Sequence, residues 1–111
     1  MGTAMMSVGP LPEEDWDEPR FQRWVVATAR ANGWKVRVTD QRGRPGWRGQ
    51  QEDKGWPDLI LLRDRVVWIE LKAKGGQLRA AQAIVIEFLR RAGAEVHVFE
   101  PSQWEELMGV L

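Results

Sequence analysis

The chain has no cysteine, no tyrosine and a single histidine among its 111 residues. Without thiols there are no disulfides, no thiolate metal sites and no cysteine nucleophiles, and the composition fits a reducing compartment. No apolar run approaches the ~20 residues that a membrane-crossing helix needs. Met1 to Pro12 lacks the charged and apolar regions of a secretory signal, so the expected location is the cytoplasm. Net charge is also absent, because 16 Lys and Arg balance 16 Asp and Glu. Neutrality argues against a chain that coats nucleic acid by charge alone, but not against binding through a local field. There is no Ser/His/Asp arrangement, Walker loop or dinucleotide fingerprint, and the loop glycines lack the strand–turn–helix setting of a phosphate cradle.

What is present is unevenly spread. Glu13, Glu14, Asp15, Asp17 and Glu18 crowd the N-terminal segment, whereas Arg30, Lys35, Arg37, Arg42, Arg44 and Arg48 follow with only Asp40 opposing them. The length fits one domain with a real core, expected over residues 16–111 behind a mobile tail at 1–15. A helix is expected from Asp17, its N-cap, to the stop at Asn32-Gly33, with Phe21, Trp24, Val25 and Thr28 inward. Trp34 to Thr39 reads as a strand with one basic face. Gln41 to Lys54 is polar, Gly-rich and longer than an ordinary connection. Lys74-Gly75-Gly76 should break a strand before a helix at about Gln77–Ala92, with Leu78, Ala81, Val85, Phe88, Leu89 and Ala92 inward. Val96 to Phe99 is a last strand, and a Ser102/Glu105 capping box opens a short terminal helix. The expected order is αβββαβα.

The centre of the chain carries the chemistry. Leu59-Ile60-Leu61-Leu62 and Val66-Val67-Trp68-Ile69 flank the charged turn Arg63-Asp64-Arg65, a β-hairpin pattern. If the turn centres on Asp64, opposed residues have numbers summing to 128, which sets Asp58 opposite Glu70 at roughly 4.5–5.5 Å between Cβ atoms. Lys72 falls on the same face by strand alternation. Both strands are apolar on both faces, so helices are expected on either side of them. Opposed carboxylates in that setting must take up a proton or a cation. One or two Mg²⁺ ions would satisfy them, acidify a water and neutralise an attacked phosphate. Lys72 suits stabilisation of the transition state, Glu18 is a further ligand candidate, and Gln82 can reach the same patch with its amide.

These residues carry a resemblance. Gly55-Trp56-Pro57-Asp58, Glu70-Leu71-Lys72 and Gln77-Leu78-Arg79-Ala80-Ala81-Gln82 together are similar to the PD-(D/E)XK nuclease superfamily, and within it to the VRR-NUC group of phages and bacteria. Phe21-Gln22 and Gly33-Trp34-Lys35-Val36 resemble that group's opening helix, so the likeness runs from about Asp17 to Glu100. It implies a restriction-endonuclease-like α/β fold with a mixed central sheet flanked by helices. It also implies Asp58 and Glu70 as metal ligands with the Leu71 backbone carbonyl, Lys72 as catalytic lysine, and Glu18 and Gln82 as accessory acid and glutamine. The implied activity is that of a Mg²⁺-dependent DNA endonuclease, with Mn²⁺ able to substitute, resembling homodimeric Holliday junction resolvases that act on branched DNA. A nicking or restriction-like duplex endonuclease is an alternative, as is a catalytically silent DNA-binding subunit of a phage assembly. Two departures stand out: the segment Gln41 to Arg48 has no His, and Ala80 stands where Pro is common.

Isolated, Pro57-Asp58 is a turn before a strand and Glu70-x-Lys72 a surface ion pair; their joint register and the following Gly-Gly-helix-Gln favour the catalytic reading. Arg42, Arg44 and Arg48 are candidate DNA backbone contacts, with Lys74 beside them. Trp47 and Trp56 flank the long loop, where a ring either stacks on unpaired or distorted bases or packs the loop or a subunit interface. Trp24, Trp34, Trp68 and Trp104 lie on apolar faces and are expected in the core. His97 is expected to be structural.

Overall fold

A computed structural model describes residues 7–39 and 54–111 of the chain. The elements follow the order α1 (Glu18–Ala31), β1 (Lys35–Val38), β2 (Leu59–Leu62), β3 (Val66–Leu71), α2 (Ala80–Arg91), β4 (Glu95–Phe99), a 3₁₀ turn (Pro101–Gln103) and α3 (Trp104–Val110). Four strands form one sheet in the order β1-β2-β3-β4. The first two pairings are antiparallel and β3–β4 is parallel, with α2 as the crossover, giving a mixed α/β sheet.

Local chemistry explains the helix ends. Asp17 is the N-cap of α1 and its carboxylate accepts from the Arg20 amide at 2.8 Å. At the other end the Gly33 amide donates to the Arg30 carbonyl and the Trp34 amide to the Ala29 carbonyl, a Schellman closure. Gly93 and Ala94 close α2 on Arg90 and Leu89 in the same way. The last helix is entered differently from the expected Ser102/Glu105 box: Gln103 folds back so that its amide oxygen accepts from the Glu100 N–H at 2.9 Å, and Pro101 leads a 3₁₀ turn into α3. The cap therefore sits at Glu100, two residues before Ser102, and serves the 3₁₀ turn rather than α3.

The hairpin register is the expected one. Leu59 pairs Ile69, Ile60 pairs Trp68, Leu61 pairs Val67 and Leu62 pairs Val66, each pair summing to 128. Leu59, Leu61, Val67 and Ile69 are fully buried against α1, where Phe21, Trp24 and Val25 point into the same core. Each such Leu or Phe contributes roughly 1.5–3 kcal/mol by leaving water. The turn itself is tied down: Arg63 donates to the Asn32 carbonyl at 2.8 Å and Arg65 to the Val110 carbonyl at 2.9 Å.

The opposite sheet face departs from expectation. Ile60 and Trp68 are half-buried and Leu62 and Val66 are exposed, so that face is only partly covered. Helix α2 begins at Ala80, three residues later than expected, and packs on β4. Its buried residue is Ile86, flanked by half-buried Gln82, Val85 and Leu89, whereas Leu78, Ala81, Phe88 and Ala92 are exposed. The inward stripe is thus rotated from the expected one, because a polar residue, Gln82, is held inward by the site below. Among the tryptophans, Trp16, Trp24 and Trp34 are buried, while Trp68 and Trp104 are half-buried. Of the segment expected as a tail, Pro12 is buried and the Val8 amide lies 3.4 Å from the Thr28 hydroxyl.

Candidate active site

Strand β3 runs past the end of β2, and the site forms where that support stops. The β1–β2 ladder extends by one pair, with the Thr39 amide donating to the Asp58 carbonyl at 2.8 Å. The Asp58 carboxylate then takes over from the missing strand, accepting from the Leu71 N–H at 2.8 Å through Oδ2. Main chain and side chain of Asp58 are therefore both anchored to the sheet, one residue beyond the Leu59–Ile69 pair and close enough for its charge to act on Glu70.

Glu70 is 1% exposed and Lys72 is 7% exposed, an uncommon depth for charged side chains. Gln82 reaches down from the first turn of α2 and binds both. Its amide nitrogen donates to Glu70 Oε2 at 2.9 Å, and its oxygen accepts from Lys72 Nζ at 2.9 Å. The same oxygen accepts from the Arg79 N–H at 2.8 Å, which makes Gln82 both a helix cap and a site residue. Lys72 Nζ also lies 3.2 Å from Glu70 Oε2. Among the described residues, Glu70 Oε1 is buried and has no hydrogen-bond partner.

That orphan oxygen decides the electrostatics. Burial, then the Asp58 charge, push the Glu70 carboxyl up to about 7, against the opposing pull of Lys72 and of the Asp58 main chain. A carboxylate with a free lone pair, facing a second carboxylate in a dry setting, is short of a cation. The donor set is hard oxygen, which suits Mg²⁺ or Mn²⁺ rather than a softer ion. No third Asp, Glu or His joins this pair into a cluster among the described residues. Glu18 stands exposed at the first position of α1. Lys74 is exposed and ion-paired with Glu14 at 3.1 Å. Arg42, Arg44, Trp47 and Arg48 lie outside the described residues. His97 sits 2.8 Å from Glu95 and stacks on Phe99, on the sheet face away from Asp58 and Glu70, in a structural role.

One positioning residue escaped the sequence reading. Gly55 has φ +88°, and a Cβ there would lie 2.5 Å from the Ala81 carbonyl oxygen. The turn entering Asp58 is thereby pressed against the first turn of α2, next to Gln82. Glycine is required twice over, by its backbone angle and by its lack of a side chain. Gly55→Ala should cost about 1–3 kcal/mol, read as a lowered urea midpoint at unchanged m-value. The signal available in sequence was the Gly-Trp-Pro-Asp run itself, four residues too constrained for an ordinary loop.

Comparison with known proteins gives the family and the fold. The VRR-NUC domain profile matches residues 13–103. A solved VRR-NUC domain structure is 26% identical, superposes with a TM-score of 0.65, and is matched over 83% of this chain and 94% of that one. Comparison with curated proteins gives no match. With Asp58, Glu70, Lys72 and Gln82 gathered at the end of a mixed sheet, the chain belongs to the VRR-NUC family of the PD-(D/E)XK nuclease superfamily.

Proposed function

We propose that this chain is a metal-dependent DNA endonuclease that hydrolyses phosphodiester bonds with preference for branched DNA, and that Mg²⁺, replaceable by Mn²⁺, is its cofactor. The observation that carries the reading is the buried Glu70 Oε1, without a hydrogen-bond partner among the described residues, on a carboxylate that also feels the charge of Asp58. Asp58 and Glu70 are assigned as metal ligands. The family pattern adds the Leu71 backbone carbonyl and, from α1, Glu18. A divalent ion, when bound, supplies a Lewis acid that acidifies water and neutralises phosphate charge.

The protein's own residues do the rest. The Leu71 N–H holds Asp58 in one rotamer, and Gln82 holds Glu70 and Lys72 in fixed relation. Lys72 presents a pre-placed cation to the charge that develops on the attacked phosphate, with no reorganisation needed at the moment of reaction. Arg42, Arg44 and Arg48 are proposed as backbone contacts, Trp47 as a stacking ring, and Lys74 as a contact that exchanges Glu14 for phosphate.

One constellation per chain makes a two-fold homodimer the simplest way to cut two strands. Supporting a dimer is an apolar surface unusual for a monomer: Phe88 is 65% exposed and Ile84 57%, with Leu62 and Val66 also open to solvent. Replacing Ile84 and Phe88 together by Glu should turn a dimer into a monomer in size-exclusion light scattering, with the fold retained.

The functional test compares a four-way junction, a splayed arm and a linear duplex, each with Mg²⁺ and with Mn²⁺. Cleavage of the branched substrates, lost in Lys72→Ala by roughly 10²–10³-fold, is the expected result. Equal cutting of all three would favour a nicking or restriction-like enzyme. No cutting of any would make the chain a binding subunit.

A further inference from the structure

Strand β1 carries two cations that the candidate site does not use. Val36 and Val38 pack against the core, so Lys35 and Arg37 project from the opposite face of the sheet, where both are exposed. That face is the one that bears the candidate metal ligands. Arg37 pairs with Ile60 and Ile60 with Trp68, two residues before Glu70. Lys35 pairs with Leu62, one row further from the site. At the near end of β1 the Thr39 amide donates to the Asp58 carbonyl. Arg37 and Lys35 therefore stand about 7 Å and about 13 Å along the strand from the level of Asp58. Helix α2 packs on β4, at the other side of the sheet, and leaves Ile60 half-buried and Leu62 50% exposed. Among the described residues neither Lys35 nor Arg37 meets a carboxylate, whereas Lys72 and Lys74 each face an acid. Cations at a regular interval on an open sheet face complement a ligand whose negative charges are also regularly spaced, as in a nucleic-acid backbone.

We propose that Arg37 and Lys35 bind phosphates of the substrate DNA on one side of the scissile bond, so that β1 is a track that lays one strand across the sheet toward Asp58 and Glu70. This rests on the nuclease reading above. Phosphate contacts fix where a strand lies without reading its sequence. The Arg37 guanidinium can give two N–H groups to one phosphate, and Lys35 adds a point charge beyond it. Charged residues on an edge strand also discourage pairing with another chain, and that role predicts a different outcome.

The test uses the full-length chain and an end-labelled splayed-arm DNA, with affinity read by fluorescence anisotropy in EDTA over a series of salt concentrations. Wild type is compared with Arg37→Gln, Lys35→Gln and Arg37→Lys. Arg30→Gln is the charge control, because Arg30 is exposed in the last turn of α1, which packs on the other face of the sheet. Each of Arg37→Gln and Lys35→Gln should reduce the slope of log affinity against log salt by about 1, while Arg37→Lys and Arg30→Gln keep it. With Mg²⁺, Arg37→Gln should raise KM more than it lowers kcat. A single uncharged methylphosphonate, moved stepwise past the cut, should fail to add to Arg37→Gln at a position on one side of the cut only. Unchanged slopes in the β1 variants, or an equal loss in Arg30→Gln, would overturn the track and leave the nuclease reading standing. Altered oligomeric state or aggregation of the β1 variants at an unchanged slope would assign the two cations to edge protection instead. If wild type cuts none of these DNAs with Mg²⁺ or Mn²⁺, the nuclease reading fails and the track has no site to serve.

Discussion

Asp58→Ala and Glu70→Ala should each lower the single-turnover cleavage rate by about 10³-fold or more while leaving DNA affinity in EDTA within a few-fold of wild type. The two losses arise differently. Asp58 accepts from the Leu71 N–H, so its removal leaves that main-chain donor at the strand end without its carboxylate. Glu70 is fully buried and balances Lys72, so its removal strands a cation inside the protein. Breaking such a pair costs roughly 3–5 kcal/mol, enough to confuse unfolding with lost catalysis. Asp58→Asn and Glu70→Gln separate the two. Both keep the shape and a hydrogen-bond acceptor but remove the charge that a cation needs. Cleavage should fall as far in these as in the alanine variants, with thermal midpoints closer to wild type. The double variant Asp58→Asn/Glu70→Gln should be scarcely worse than either single one, since both act through one bound ion and such effects do not add. Wild-type rates in Asp58→Ala and Glu70→Ala would remove the site assignment.

Much of this site was legible in the chain because strand pairing is a discrete code. A three-residue turn between two apolar runs leaves a single register that buries one face, and a slip of one residue would invert every side chain. That is why Asp58 and Glu70 could be paired from numbering, and the observed ladder keeps the same sum. Helix α1 was equally readable, since Asp17 and Gly33 mark its ends chemically. Helix α2 was legible in its place but only partly in its inward face. Hydrophobic periodicity chose Leu78, Ala81, Val85, Phe88, Leu89 and Ala92; Val85 and Leu89 do turn inward, but the other four are exposed and Gln82 and Ile86 face the sheet instead. A buried Glu and Lys held by an amide outweigh the exposure of one Phe, and periodicity has no term for that. Gln82 was already expected to reach the site, and the inward face follows from that placement, because 82, 86 and 89 lie together at helical spacing. The same choice leaves Ile84 and Phe88 outside and uncovers half of the sheet's second face, which the apolar composition of β2 and β3 did not reveal. Gly55 was legible only as part of the Gly-Trp-Pro-Asp run, because the constraint on it is a contact with Ala81, 26 residues away in the chain.

Metal-free protein should lose stability as pH rises from about 4.5 to about 7, and added Mg²⁺ or Mn²⁺ should restore it. In the folded chain the Glu70 carboxyl titrates near 7 against an ordinary 4.5, chiefly because burial penalises its charged form. Between those values the folded state holds a proton that the unfolded state has released. Stability therefore falls with rising pH through that window and levels off above it. The span from 4.5 to about 7 corresponds to roughly 3 kcal/mol, an upper figure because the Glu70 carboxyl interacts strongly with the neighbouring charges of Asp58 and Lys72. A divalent ion competes with that proton for the same carboxyl. Metal affinity should consequently weaken as pH falls below 7, and the gain in thermal midpoint on adding metal should be large at pH 8 and small at pH 5.5. At a hundredfold excess over the dissociation constant the gain is about 2.7 kcal/mol. Thermal melts in EDTA and in Mg²⁺ across this range, with Glu70→Gln as control, read the effect directly. Glu70→Gln should flatten the metal-free pH dependence and abolish the metal-dependent gain at pH 8. A wild-type protein equally stable at pH 5.5 and 8, with or without metal, would mean that the charged form of Glu70 carries no penalty in the fold and therefore creates no demand for a cation.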